Sequence, residues 1–515
     1  MGMLDFSAPP PARGRDHWSA LLDLAVEHGS EQPLFQQIYL GFRDAILARR
    51  LAAGSRLPST RLLAERLGVS RTSVLSAYEQ LLAEGFVTGR AGSGTFVAED
   101  AAPDLLAPGA PPAPAQPAPP PQLSRVGQRC EALATALPVP PGLPFAAGCC
   151  SVDALSIQAW RRTGMELMQG FDPSNLSYAD PSGDLALREE VAKYLRAARA
   201  VRCEPEQILI LSGAQQAIDL SIRVLLNPGD AVWVEDPGYL ATREALAAAG
   251  ASLIPVPVDR EGMVVEAGLR LAPEARAAYI TPSHQYPTGA VMSLQRRLEL
   301  LAWAKATGSW IIEDDYDSEF RYVGRPLASL QGLEGGEAVI YVGTLSKMLF
   351  PGVRIGFAVV PPALIPAFRG ARFLADRNPP TLQQALVTSF MKRGFLTSHI
   401  QRMRQRYRAA RDTVVEAMIR HLGDVVELEM PECGIQLTLH FKVPVDDVRV
   451  AQAALRHGVV VKAVSPHYLG TPARSGLVLG YSGFDTHRLR SAAALLARAV
   501  REVIAEGASS SGAGR

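Results

Sequence analysis

Lysine is scarce in this chain, with six in 515 residues and none between Leu34 and Glu99. Any polyanion met by that early segment must therefore be met by arginine. Cysteine is also rare: Cys130, Cys149, Cys150, Cys203 and Cys433 show neither C-x-x-C spacing nor a disulfide framework. That pattern excludes a cysteine-rich secreted scaffold and a zinc ribbon, and is that of reduced thiols; no metal site is expected. The adjacent pair Cys149 and Cys150 is the one arrangement with redox potential. No run of about eighteen apolar residues exists to cross a membrane. The first fifteen residues lack the basic segment and apolar core of a secretory signal, and the expected location is cytoplasmic. The formal net charge of +1 gives no global indication of a polyanionic partner. Charge has to be read locally: Leu34 to Glu99 carries eight arginines against five acids.

What is present divides at a proline- and alanine-rich stretch, Ala101 to Gln122, which holds nine prolines. Such sequence favours extended polyproline backbone, roughly 3.1 Å per residue, for a reach on the order of 60 Å. Five segments are expected: an extension over 1–33, a DNA reader over 34–99, a linker over 100–144, a large domain over 145–505 and a flexible tail over 506–515. The fold class is α/β, with a small helical reader ahead of a doubly wound domain.

Upstream, Leu34 to Leu51 has apolar residues at helical spacing, with Ile38, Phe42, Ile46 and Leu47 on one face. Ser59 is placed to cap a second helix that runs to Leu67. Gly68 turns the chain, and Ser70 caps a third helix that stops at Gly85, with Val74, Tyr78, Leu81 and Leu82 as its buried stripe. Helix, short glycine turn, helix is the helix-turn-helix pattern. It puts Arg71, Thr72 and Ser73 in the first turn that commonly reaches base edges. Two short strands, 86–88 and 95–97, flank a glycine-rich hairpin tip suited to lie against phosphate or dip into the minor groove.

Downstream, the apolar runs 207–212, 231–235, 277–281, 310–314 and 339–343 alternate with helical stretches. This predicts a largely parallel sheet, whose ligands lie beyond the carboxyl ends of the strands. Lys347 follows one strand directly, where partial desolvation suits it to form an imine with an aldehyde. Two hydroxyls before it and Arg354 after it suit a phosphate. Asp314 and Tyr316 are two apart at a strand end and share a face. A carboxylate there keeps a pyridine nitrogen protonated. Asp315 and Asp317 are rivals, with Asp314 preferred because it extends the strand. Ser212 to Ala217 joins a strand to a helix whose free N–H groups offer an anion site. Tyr239, in Glu235 to Tyr239, follows another strand, where it suits stacking on a ring.

Two resemblances follow from these residues. The segment LPSTRLLAERLGVSRTSVLSAYEQLLAEGFVTGRAGSGTFV resembles the winged helix of the GntR regulators. That implies contacts to a double-stranded DNA operator from Arg61 and Arg71, with Ser70, Thr72 and Ser73 alongside and Gly94 shaping the wing tip. The order SGAQQA, VEDPGY, PTG at Pro287 to Gly289, EDDYDSEF and TLSK with a later arginine resembles the fold-type I pyridoxal-phosphate enzymes of the aminotransferase class. The whole chain is similar to the MocR subfamily of GntR-type regulators, and to its PdxR-like members in particular.

The resemblance implies pyridoxal 5'-phosphate as cofactor. It makes Lys347 the Schiff-base lysine, Asp314 the pyridine-nitrogen partner, Tyr316 the ring-hydroxyl contact and Tyr239 the stacking ring. Ala214, Gln215, Ser346 and Arg354 would hold the phosphate, and Tyr178 would reach the neighbouring subunit's site in a head-to-tail homodimer. The function implied is a transcriptional regulator of vitamin B6 or amino-compound genes, with the cofactor or an amine as effector. Three departures bear on chemistry. Tyr286 stands where aminotransferases usually have Asn. Val478 stands where the arginine for a substrate carboxylate is expected, with Arg474 off register. Ala241 stands where GABA-responsive relatives carry arginine. These changes weigh against transamination of ordinary amino acids and favour a sensor, with imine exchange still within its chemistry.

Overall fold

The computed structural model describes residues 26–90, 92–99, 122–135, 142–170, 172, 177–324 and 327–512, in two units, Met1–Gln122 and Leu123–Arg515. The first twenty-five residues of the expected extension and the linker residues 101–121 lie outside that set.

In the first unit, α1 (Leu34–Leu47) buries Ile38, Tyr39, Phe42, Ala45 and Ile46. It ends four residues earlier than its periodicity predicts, because the chain turns through Arg49 at a positive φ of 55°. Helix α2 (Thr60–Leu67) starts at Ser59, whose side chain accepts from the Leu62 N–H at 3.3 Å, and closes in left-handed backbone at Gly68. Helix α3 (Arg71–Ala83) is capped by Ser70, whose Oγ accepts from Ser73 N–H at 3.1 Å. Its buried side is Val74, Ala77, Tyr78 and Leu81, whereas Leu82, expected in the stripe, is 51% exposed. The register explains it: Leu82 lies one residue, about 100°, round from Leu81. Tyr78 fixes α3 to its neighbours, donating to the Pro58 carbonyl at 3.0 Å and meeting Phe42 edge-on at 5.6 Å. Strands β1 (Val87–Arg90) and β2 (Gly94–Val97) then pair antiparallel, Val87 opposite Val97. This is a winged helix-turn-helix with its own core.

The second unit carries an eight-stranded sheet. Its strands are β3 (Ile208–Leu211), β4 (Ala231–Asp236), β5 (Ser252–Asp259), β6 (Gly262–Met263), β7 (Ala277–Ile280), β8 (Trp310–Asp315), β9 (Val339–Thr344) and β10 (Gly356–Val359). They lie in the order β3-β10-β9-β8-β7-β4-β5-β6. From β9 to β5 all neighbours are parallel; β10 runs antiparallel to both β3 and β9, and β6 antiparallel to β5. Strands β3, β7 and β9 are buried along their whole length, as a parallel sheet covered on both faces requires. A smaller antiparallel sheet follows: β11 (Val426–Leu428), β12 (Gln436–Phe441), β13 (Lys462–Ala463) and β14 (Gly476–Gly480), in the order β11-β12-β14-β13. The helix Phe395–Leu422 and the final helix Thr486–Gly512 bury side chains into one apolar cluster with it.

Two stretches differ from expectation. Residues 100–144, expected to be linker throughout, contain a helix at Arg125–Thr135. No proline falls between Pro121 and Pro138, Ser124 Oγ accepts from Gly127 N–H at 3.0 Å, and Arg129 pairs with Glu244 at 3.5 Å. Residues 506–515 were expected to be a flexible tail, yet the last helix runs to Gly512. Extending an existing helix costs little compared with nucleating one.

Candidate functional site

The strand ends converge on one cavity of about 250 Å³. Its walls include Gly213, Ala214 and Gln215 after β3, Tyr239 after β4, Asp314 and Tyr316 at the end of β8, and Ser346 and Lys347 after β9. Arg354, Gln436 and Lys462 add to its polar lining.

Lys347 sits on the short helix Leu345–Met348, started by Thr344, whose Oγ1 accepts from the Ser346 N–H at 3.1 Å. Its ammonium donates to the Gly148 carbonyl at 3.0 Å, which aims the side chain along the cavity rather than toward solvent. No carboxylate pairs with it among the described residues.

Strand alternation sorts the acids of β8 and its continuation. Asp314 Oδ2 accepts from the Tyr279 hydroxyl at 2.7 Å, while its Oδ1 is buried without a partner. Burial raises its pKa to about 7. Asp315 turns away and is bound by Arg199 at 2.7 Å and the Tyr341 hydroxyl at 2.6 Å. Asp317 accepts from the Ile435 N–H at 3.1 Å and engages His284 Nδ1 at 2.9 Å. Of the three candidates, Asp314 is the one that lines the cavity with an oxygen to spare. Tyr316 shares its face, and its hydroxyl donates to the His284 carbonyl at 2.9 Å.

At the other end of the cavity, helix Ala214–Leu225 presents the free N–H groups of its first turn. Gly213 precedes it at a φ of +127°, and a Cβ there would stand 3.3 Å from Arg354 Nη2. The backbone and the guanidinium therefore approach one another at a point only glycine allows. Ser346 Oγ is buried there without a partner. A helix N-terminus, a guanidinium and an orphan hydroxyl lining one cavity are groups suited to an anion. Tyr239 lines the cavity and meets Tyr286 edge-on at 5.6 Å.

Tyr178 is not in this cavity. It is 75% exposed, with the Arg377 guanidinium 4.3 Å from its ring centroid. Val478, in the position expected of a carboxylate-binding arginine, is fully buried in an apolar cluster with Tyr286 and Val464. Arg474 is exposed and ion-paired with Glu427, so it does not serve the cavity. Several lining residues escaped notice in the sequence, Gln436 and Lys462 among them. The second had a signal, a lone lysine inside the apolar run VVVKAV.

On the DNA-reading unit, Arg61, Ser70, Arg71 and Thr72 are exposed and Ser73 half-buried, all near the start of α2 or α3. Arg71 Nε reaches Thr60 Oγ1 at 3.4 Å, which brings the starts of the two helices together. Gly94 holds a φ of +115°, and a Cβ would lie 3.0 Å from Arg56 Nε. In the wing, Arg90 stacks over Phe96 at 4.9 Å.

Comparison with known proteins agrees with both units. Residues 141–493 match the family described as aminotransferase class I and II, and residues 34–97 match the bacterial regulatory proteins of the gntR family. Among solved structures, the α-aminoadipate aminotransferase LysN of Thermus thermophilus, complexed with N-(5'-phosphopyridoxyl)-L-leucine, superposes with a TM-score of 0.69. It is 27% identical and covers 74% of this chain and 98% of its own. Relatives that span both units include regulators. The probable rhizopine catabolism regulatory protein MocR of Rhizobium meliloti is 37% identical, over 91% of this chain and 94% of that protein. The pyridoxine biosynthesis regulator PdxR of Corynebacterium glutamicum is 32% identical, over 93% and 99%. The chain belongs to the MocR-type transcriptional regulators, a gntR-family DNA-binding unit joined to an aminotransferase-like domain. No helix of the described residues is long and apolar enough to cross a membrane.

Proposed function

We propose that this regulator holds pyridoxal 5'-phosphate on Lys347, and that an amine effector competing for that linkage changes its grip on operator DNA. The observation that carries the proposal is the cavity itself, where a lysine, a partly free buried carboxylate and an anion site meet. These parts fit the cofactor. The Asp314 Oδ1 and Ser346 Oγ atoms are buried and unpartnered, and a ring nitrogen and a phosphate would supply the partners they lack.

When bound, pyridoxal phosphate supplies an aldehyde that condenses with amines and a ring that takes up electrons. This chain's residues do the rest. Lys347 offers the amine. Asp314, whose pKa burial raises to about 7 in the free protein, would be held ionised by a protonated ring nitrogen. Tyr316 would hydrogen-bond the ring hydroxyl, and Tyr239 would stack on the ring. The N–H groups of Ala214 and Gln215, the Ser346 hydroxyl and the Arg354 guanidinium hold the phosphate. Tyr178, exposed on its own chain, supports a head-to-tail dimer in which it completes the partner's site. Arg61, Ser70, Arg71, Thr72, Ser73 and Gly94 form the operator-facing surface of each DNA reader. The regulated genes fit amine or vitamin B6 metabolism, and the setting is the cytoplasm. Coupling requires that cofactor or effector bind one arrangement of the chain more tightly than another.

Apolar Val478 and the distant Arg474 argue against steady transamination. The test is spectroscopic: Lys347→Ala loses the yellow absorbance of the lysine-linked cofactor yet still binds DNA. Retention of that absorbance in Lys347→Ala removes the lysine from the proposal.

A further inference from the structure

The charges lining the cavity do not balance. Among its described residues, Lys347, Arg354 and Lys462 are cationic and Asp314 is the carboxylate. Arg354 stands beside Gly213 at the anion site, and Lys347 is the reacting amine. Lys462 is left without a task.

Its place in the fold is informative. Lys462 lies on β13 directly opposite Val478 of β14. It is thus the ladder neighbour of the position from which an arginine would grip a substrate carboxylate. Lys462 is an exposed residue whose ammonium stands 6.0 Å from the Tyr286 ring centroid. Loss of water and then the charge of Lys347 lower its pKa, and no carboxylate pairs with it among the described residues. A partly dehydrated ammonium without a counterion is stabilised by any anion that reaches it. Two other basic groups nearby are unsuited. His467, 5.1 Å from Tyr286, has its pKa pushed down to about 4 by burial and is neutral near pH 7. Arg474 is engaged with Glu427.

We infer that Lys462 holds the anionic end of the effector, from β13 rather than from β14, so that the effector is an amine carrying a carboxylate or a similar anion. The inference rests on the Lys347 reading above and adds the specificity residue to it. Moving the cation by one strand also moves the anion it accepts, which distinguishes this cavity from that of a transaminase using arginine at 478.

The test uses full-length protein loaded with pyridoxal phosphate. Glycine, β-alanine and 4-aminobutanoate are each titrated by calorimetry against their neutral primary amides. At least one acid is expected to bind wild type about tenfold or more tightly than its amide, the range of a charge-assisted hydrogen bond. Lys462→Gln should bring that ratio to within about twofold, Lys462→Arg should keep most of it, and Arg474→Gln should leave it unchanged. A ratio unmoved in Lys462→Gln, or no acid preferred over its amide, overturns the inference. The absorbance separates the two failures. If it is intact and depends on Lys347 while the ratio does not move, only Lys462 falls. If wild type shows no such absorbance, the cofactor reading falls and this inference with it.

Discussion

Asp314 shows how one side chain's surroundings set its chemistry. In water its carboxyl would be ionised at neutral pH; here burial raises its pKa to about 7. A raised pKa means that folding favours the protonated form. Its contribution to stability is therefore complete below about pH 4 and is lost as pH rises through about 7. In cofactor-free protein, Asp314→Asn is expected to lessen the fall in melting temperature between those limits, since an amide has no proton to lose. It should also weaken retention of pyridoxal phosphate by removing the countercharge. An unchanged pH profile, or undiminished cofactor affinity, would mean that another acid carries this role. In the sequence Asp314 is preferred over Asp315 only because it extends the strand; alternation sends the two to opposite faces without saying which face meets a cavity. Lys462 was not readable as a cavity residue. It reaches the cavity by pairing with β14, which sequence alone leaves open.

At the scale of elements, α3 is positioned by its cap and its buried stripe together. Ser70 satisfies one of the free N–H groups of the first turn, and Val74, Ala77, Tyr78 and Leu81 seat the helix against α1 and α2. Arg71 is exposed beyond that core. Arg71→Ala should thus leave the melting temperature nearly unchanged while weakening operator binding by about 1–3 kcal/mol, measured at fixed salt. A loss of stability equal to the loss of binding would assign the arginine to packing instead. The caps at Ser59 and Ser70 and the turn at Gly68 were legible because each is a local signal of a few residues. Strand β10 was not. Gly-Phe-Ala-Val is short and shows no alternation, and its antiparallel place between β3 and β9 is set by partners more than a hundred residues apart in one case. The helix Arg125–Thr135 was hidden by the prolines beside it, although its own residues contain none.

For the whole molecule, the account makes each site depend on two chains. Tyr178 is exposed, lies outside its own chain's cavity and is proposed to complete the partner's. Mixing Lys347→Ala chains with Tyr178→Ala chains should restore one working site per mixed dimer, seen as recovered cofactor absorbance above either variant alone. No recovery in proven mixed dimers would place Tyr178 elsewhere. The central claim is that events at Lys347 are felt at the DNA. It is tested most directly by measuring operator affinity, at one salt concentration, for wild type and Lys347→Ala across a titration of pyridoxal phosphate. The account predicts an affinity or footprint that shifts with cofactor in wild type and stays level in Lys347→Ala. A wild-type affinity and footprint indifferent to the cofactor, or a shift that survives Lys347→Ala, would contradict it.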